Sequence, residues 1–155
     1  MQKFVKLLFL LTLLTAAPAF AEEFIYAHIE QNGQNGQKSQ NGQNVLVIKS
    51  ENNSSAKAFI ALLQKHDLTV DMHDYGNFEK VGSIGSNLPR NDKPITTKPG
   101  DVILYQGNQI TIYYDENSWN FTKLGEVQGV GQRELKSILG NGITSVIKNI
   151  IIHNL

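Results

Sequence analysis

Short apolar segments alternate with polar stretches along most of the chain. These segments are rich in β-branched and aromatic side chains, which is typical of strands. In one of them Leu68, Val70 and Met72 alternate with polar residues, which predicts a strand with one buried face. The stretch 75–100 is rich in Gly, Asn, Pro and Ser, and we expect it to be irregular. The predicted strands are residues 24–29, 45–49, 68–72, 102–105, 110–114, 119–127 and 143–152.

Two other segments have the spacing of helices. Apolar residues recur at helical spacing in 56–63, and Asn53 or Ser54 can cap this helix. A second, shorter helix is expected over 132–139, where Gly140 ends it. About seven or eight strands and two helices in a single domain predict a mainly β protein with two short helices. A closed β-barrel is the economical architecture, because closure leaves no free strand edges.

The N-terminus has the features of a cleaved signal peptide. Lys3 and Lys6 precede an apolar run, and residues 19–21 (Ala-Phe-Ala) have the small-x-small pattern that signal peptidase requires. The run is shorter than the roughly 20 apolar residues of a membrane-spanning helix. We therefore expect residues 1–21 to be removed and a mature domain of residues 22–155 in the periplasm or outside the cell. No stable membrane insertion is expected after cleavage, and an uncleaved N-terminal anchor is the alternative.

A polar insert follows the first predicted strand. Residues 31–44 repeat Gln-Asn-Gly three times and contain no apolar side chain, so they can bury little surface. Asn-Gly is a strong signal for a hairpin turn. We interpret the insert as a flexible, lengthened hairpin loop, and a functional Gln/Asn-rich tract is the alternative.

The composition excludes several classes of protein. The 155 residues contain 14 Lys and Arg against 14 Asp and Glu, so the basic surface of a nucleic-acid-binding protein is not expected. The absence of cysteine excludes a disulfide scaffold, thiol catalysis and thiolate metal sites. His66 and His73 flank a strand with several Asp residues nearby, but the spacing matches no zinc signature. We therefore predict no metal site and, without a nucleotide-binding motif, no cofactor.

A set of short motifs covers most of the second half of the chain. They are LTVDM at 68–72, DYGNFEKVG at 74–82, LP at 88–89, PGDV at 99–102, LYQGNQI at 104–110, Trp119 and KLG at 123–125. Together with the helix at 56–63, these motifs resemble the bacterial cyclophilin-like fold family. Members of that family share the cyclophilin barrel and mostly have no assigned activity. The resemblance implies a closed cyclophilin-like β-barrel for most of the mature chain.

The same region has a fainter similarity to true prolyl isomerases. Residues 78–81 (Phe-Glu-Lys-Val) look like the cyclophilin Phe-His-Arg-Val segment, and 121–127 look like the strand that ends in Phe-Gly-Lys-Val. This correspondence places Lys80 at the position of the isomerase arginine and Phe121 near that of the proline-pocket histidine. Lys80 is thus the candidate catalytic residue, and an exposed lysine paired with Glu79 or an aspartate is the alternative. Lysine lacks the planar donor fork of arginine, which favours weak or absent isomerase activity.

Aromatic side chains supply the candidate binding site. In the strand 110–114, alternation places Tyr113 and Tyr114 on opposite faces, so one of them is expected to line the outer surface or a cleft. The predicted cleft residues around Lys80 are Tyr75, Phe78, Gln106, Tyr113, Trp119 and Phe121. The sequence therefore predicts an exported binding module for a peptide or small molecule, without strong catalysis. The alternative is a weak peptidyl-prolyl isomerase that acts on exported proteins.

The signal-peptide prediction can be checked on protein recovered from outside the cytoplasm. We expect its N-terminal sequence to begin at Glu22, because Ala19 and Ala21 are the small residues that signal peptidase recognises. Edman sequencing, supported by intact mass, measures this directly. A chain that begins at Met1 would contradict the prediction.

Overall fold

The computed structural model describes residues 21–31, 44–140 and 142–150. Over these residues the chain forms nine strands and two helices. The strands are β1 (Phe24–Gln31), β2 (Asn44–Ser50), β3 (Leu68–Tyr75), β4 (Glu79–Ser83), β5 (Lys93–Thr96), β6 (Asp101–Tyr105), β7 (Gln109–Tyr113), β8 (Ser118–Val127) and β9 (Gly142–Ile150), and the helices are α1 (Ser54–Leu63) and α2 (Gln132–Leu139). The proposed signal peptide and nearly all of the 31–44 insert lie outside the described residues, so both remain predictions.

The strands form one curled antiparallel sheet in the order β2-β1-β9-β3-β4-β7-β6-β8-β5. Strand β2 also pairs with β8, and this contact joins the two sides of the sheet into a barrel. The joining contact has only three residue pairs, Ile48–Val127, Lys49–Glu126 and Ser50–Gly125, whereas β1 and β9 pair over their whole length. The prediction of a mainly β barrel with two short helices is confirmed, although its closure is incomplete.

Both helices contribute to a single large core inside the barrel. In α1, the Asn53 side chain accepts a hydrogen bond from the Ala56 backbone N–H at 2.8 Å, which confirms one of the two expected caps. Phe59 of α1 and Leu135 of α2 are buried in the same cluster as the inward-facing strand residues. None of the helices described here is long and apolar enough to span a bilayer.

A second, smaller apolar cluster lies on the outer face of the barrel. It contains Ile103, Tyr113 and Phe121, with Phe78, Ile95 and Tyr105 packed against it. On β7 the alternation of the strand sends Ile112 into the main core and Tyr113 into this outer cluster. The sheet around β6 and β7 is therefore covered on both faces.

Two strands form in the stretch 75–100 that the sequence predicted to be irregular. Strand β4 contains two adjacent charges, Glu79 and Lys80, followed by Gly82. Its sequence therefore lacks the alternation of apolar and polar residues that predicts a half-buried strand. It is held by its ladders with β3 and β7 on either side. Strand β5 contains Pro94 and pairs only with β8, at an edge where proline is tolerated.

Candidate functional site

A cleft of about 540 Å³ opens on the outer face of the barrel. It is lined by residues from β3, β4, β6, β7 and β8 and from the turns next to them. The lining residues are His73, Tyr75, Phe78, Glu79, Val81, Tyr105, Gln109, Tyr113, Asn117, Trp119 and Phe121. Most of them occupy alternate positions along neighbouring strands, because the pleat of each strand directs every second side chain outward. We call this cleft the aromatic cavity.

Ring contacts connect one side of the aromatic cavity to the other. Phe78 lies parallel to Tyr113, with ring centroids 6.0 Å apart and an interplanar angle of 2°. Tyr113 in turn contacts Phe121 at 5.6 Å, and Tyr75 meets Phe78 edge-on at 6.0 Å. Tyr75 is 60% exposed and Trp119 is 65% exposed, whereas Tyr113 and Phe121 are buried. The cavity therefore has a packed aromatic floor and an exposed aromatic rim.

Most of the predicted cleft residues are brought together here. Tyr75, Phe78, Tyr113, Trp119 and Phe121 all line the aromatic cavity. As the alternation predicted, Tyr113 and Tyr114 point to opposite faces, and Tyr114 lies in the main core.

Gln106 is the predicted cleft residue that does not line the cavity. It is exposed in the turn between β6 and β7, where its φ of 51° is the positive value that such a tight turn requires. Its Nε2 donates a hydrogen bond of 3.3 Å to the Tyr105 hydroxyl. Gln106 therefore touches a lining residue rather than the cavity itself.

Lys80 lies apart from the aromatic cavity, which corrects the expectation that it acts within the cleft. Strand pleating turns it to the inner face of β4, where it is 2% exposed. Its Nζ lies 3.1 Å from Asp74 Oδ1, and the Tyr114 hydroxyl also donates to Asp74. These three residues line a separate hollow of about 310 Å³ beside α2. Lys80 is thus not a donor to the cleft. The alternative of a lysine paired with an aspartate matches its contact with Asp74, but the lysine is buried rather than exposed.

The two partners of Asp74 determine its protonation. Burial by itself raises the pKa of Asp74, but the hydrogen bond from Tyr114 and the positive charge of Lys80 outweigh it and lower the pKa. Asp74 therefore stays ionised and serves as the counter-ion of the buried lysine. This arrangement is that of a structural ion pair.

Glu79 is one of the lining residues that the sequence did not single out. It is 7% exposed, and its Oε2 accepts no hydrogen bond from any described residue. Burial raises the pKa of Glu79, and the negative charge of Asp74 adds to this effect, while a hydrogen bond with Tyr113 and the charge of His73 oppose it. Burial, together with the hydrogen bond with Glu79, raises the pKa of Tyr113. A carboxyl group and a phenol thus sit together at the floor of the cavity.

One signal in the sequence pointed to Glu79. If residues 78–81 form a strand, Glu79 and Lys80 must face opposite sides of it. Nothing in the sequence indicated that both sides would be buried, so neither charge was expected in a buried position. His73 joins the cavity through the β3–β4 hairpin, whereas Tyr105 and Gln109 join it through the pairing of the more distant strand β7 with β4, and Asn117 comes from the turn before β8.

No group of three or more metal-ligating side chains occurs in the part of the chain that the structure describes. His73 lines the aromatic cavity, while His66 is exposed after α1 and contacts the Asp67 carbonyl. The two histidines therefore do not share a site.

The chain is a small β-barrel with a cleft on its outer face, and comparison with known proteins places it in a family. A family model described as the cyclophilin-like family matches residues 40–148, so the chain belongs to the cyclophilin-like family. The solution structure of a hypothetical protein from Archaeoglobus fulgidus aligns with 81% of this chain and 95% of its own, with a TM-score of 0.53 and 12% identity. At that identity the likeness shows the fold alone. No curated protein matches this sequence.

The ion pair of Lys80 and Asp74 predicts unequal effects of removing either partner. Asp74→Asn leaves the buried ammonium without a counter-ion and should lower the free energy of unfolding by about 3 kcal/mol. Lys80→Met should cost clearly less, because Asp74 is 32% exposed and keeps water and the Tyr114 hydroxyl as partners.

Urea denaturation at pH 7 measures both losses, with Glu116→Gln as a control on an exposed acidic residue. A larger loss for Lys80→Met than for Asp74→Asn would contradict this account of the pair.

Proposed function

We propose that this protein is a binding module that holds a small molecule, or a side chain of a peptide, in the aromatic cavity. The observation that carries the proposal is the placement of exposed aromatic surface. Tyr75 and Trp119 are the large hydrophobic side chains that remain exposed among the described residues, and both lie at the rim of the same cavity. Grouped exposure of this kind is typical of a ligand site rather than of an ordinary surface.

The floor of the cavity is formed before any ligand arrives. Tyr113 contacts both Phe78 and Phe121, and it is held in the ladder between β4 and β7. A preformed site loses little conformational entropy when it binds, which favours affinity. The volume of about 540 Å³ also falls within the usual range for small-molecule sites.

The surface next to the cavity could hold more of an extended ligand. A shallower hollow runs along β5 and β8 and shares Trp119 with the aromatic cavity. Its other lining residues include Pro94, Ile95 and Asn120. A peptide that places one side chain in the cavity would have this neighbouring surface for its next residues.

The isomerase alternative has less support than binding. Among the described residues, no lysine or arginine lines the cavity, and Lys80 faces the opposite side of β4. Stabilising a twisted prolyl amide requires donors that are directed at it. Binding without strong catalysis therefore fits the side chains that line the cavity.

We also propose that the protein acts in the periplasm or outside the cell, on the strength of its N-terminal sequence. The charged start, the short apolar run and the Ala-Phe-Ala ending support this proposal. Under this proposal, the ligand is a molecule that occurs outside the cytoplasm.

Binding can be followed directly, because Trp119 is the only tryptophan in the chain and lies at the cavity rim. We expect benzyl alcohol, or the uncharged peptide acetyl-Ala-Phe-Pro-Ala-amide, to shift Trp119 fluorescence saturably. Tyr75→Ala should weaken that binding at least about fivefold, since it removes an aromatic contact at the rim.

Tyr26→Ala serves as the matched control, because Tyr26 lies on β1 and does not line the cavity. Its affinity should equal that of the wild type. If neither probe changes the fluorescence at millimolar concentration, or if both variants weaken binding equally, the proposed function is wrong.

A further inference from the structure

The two buried acidic side chains among the described residues have different surroundings. Asp101 has a counter-ion, because Lys123 Nζ lies 2.9 Å from its Oδ1. Glu79 forms no ion pair with any described residue, and its Oε2 accepts no hydrogen bond from them. A buried carboxylate oxygen that lacks a hydrogen-bond donor is unfavourable. A ligand that brings a hydrogen-bond donor into the cavity would therefore remove an existing cost.

Among the described residues, no lysine or arginine lines the cavity beside Glu79. Its neighbour Lys80 faces the opposite side of β4 and is engaged by Asp74. Of the described residues that line the cavity, His73 is the basic one, and its charge acts on Glu79 only from the neighbouring strand β3. The place next to the carboxylate is thus open to a positive group from outside.

The rest of the cavity is also suited to a positive group. The faces of aromatic rings carry partial negative charge and attract ammonium and guanidinium groups. Phe78, Tyr113 and Trp119 provide such rings around the position of Glu79. A carboxylate and several rings in one cavity favour a cation over a neutral or anionic ligand.

We infer that the aromatic cavity selects ligands carrying a cationic N–H group, a primary ammonium or a guanidinium, and that Glu79 is the specificity-determining residue. This inference rests on the proposed binding function and names the chemical class of its ligand. The unpaired Oε2 requires a donor hydrogen, so a quaternary ammonium, which has none, should bind less well.

The competing possibility is that Glu79 is itself a donor. Its raised pKa allows a protonated carboxyl group, which could donate to a carbonyl of the ligand. The two possibilities have opposite pH dependences. A cationic ligand needs the ionised carboxylate and binds more tightly as pH rises, whereas a carbonyl ligand needs the protonated form and binds more weakly.

The decisive experiment compares three probes of nearly the same shape: benzylammonium, benzyl alcohol and benzyltrimethylammonium. Trp119 fluorescence and calorimetry at pH 7 give the affinities for the wild type and for Glu79→Gln, whose folding is checked by thermal melting. We expect the wild type to bind benzylammonium roughly tenfold more tightly than either other probe. In Glu79→Gln this preference should disappear, so that the affinities for benzylammonium and benzyl alcohol become similar.

Each other outcome has a definite meaning. Equal affinity for benzylammonium and benzyl alcohol in the wild type would overturn this inference and leave the proposed binding function intact. A preference that persists in Glu79→Gln, or equal binding of benzyltrimethylammonium, would overturn the role of Glu79 as acceptor. If none of the probes binds, the proposed function and this inference both fail.

A pH series on the wild type keeps the inference testable even if Glu79→Gln does not fold. Benzylammonium affinity should rise between pH 4 and pH 7, and benzyl alcohol affinity should stay constant. The titratable groups facing Glu79 are His73 and Tyr75 from β3, Tyr113 from β7 and Tyr105 from β6, with Asp74 behind them. His73 is the basic group among them, so the series is repeated in His73→Gln. Loss of the rise in that variant would overturn the assignment to Glu79.

Discussion

Strand β4 is covered on both faces, so the two opposite charges that are adjacent in its sequence, Glu79 and Lys80, are both buried. The pleat sends Glu79 outward beneath the aromatic side chains and Lys80 inward toward the core. Neither side chain can reach the other, and each must find its partner on a different face. The ladders with β3 and β7 fix this division, because a register slip of one residue would exchange the two charges.

The buried charges on the two faces of β4 have different partners. Inside the barrel, Lys80 has Asp74 as counter-ion, and Tyr114 completes the arrangement, so the group is satisfied within the chain. On the outer face, Glu79 has the Tyr113 phenol but no positive partner among the described residues. Satisfied polar groups stabilise a fold, whereas an unsatisfied one at the floor of an open cavity is characteristic of a site that is completed by a ligand. The inner group is therefore structural, and the outer one is the basis of the proposed binding function.

Local patterns in the sequence predicted a large part of the fold and of the aromatic cavity. The apolar alternation of β3, the Asn53 cap of α1 and the aromatic residues of the cavity were all predictable from short-range rules. Strand β4 was missed because its charges resemble those of a solvated loop, and only the pairing of distant strands buries them. Asp74 and Lys80 lie directly opposite each other in the β3–β4 hairpin, and a motif comparison that treats residues 78–81 as a loop cannot show this contact.

The central claim is that Glu79 is buried in the aromatic cavity without a cationic partner. Carbon-detected NMR titration of the glutamate carboxyl groups, on the protein without added ligand, tests it most directly. The account predicts that Glu79 titrates above the ordinary glutamate pKa of 4.5 and that Glu126, which Lys98 and Lys123 hold ionised, titrates below it. A Glu79 pKa at or below the ordinary value would mean that the carboxylate is hydrated or already paired with a cation, and it would contradict the account.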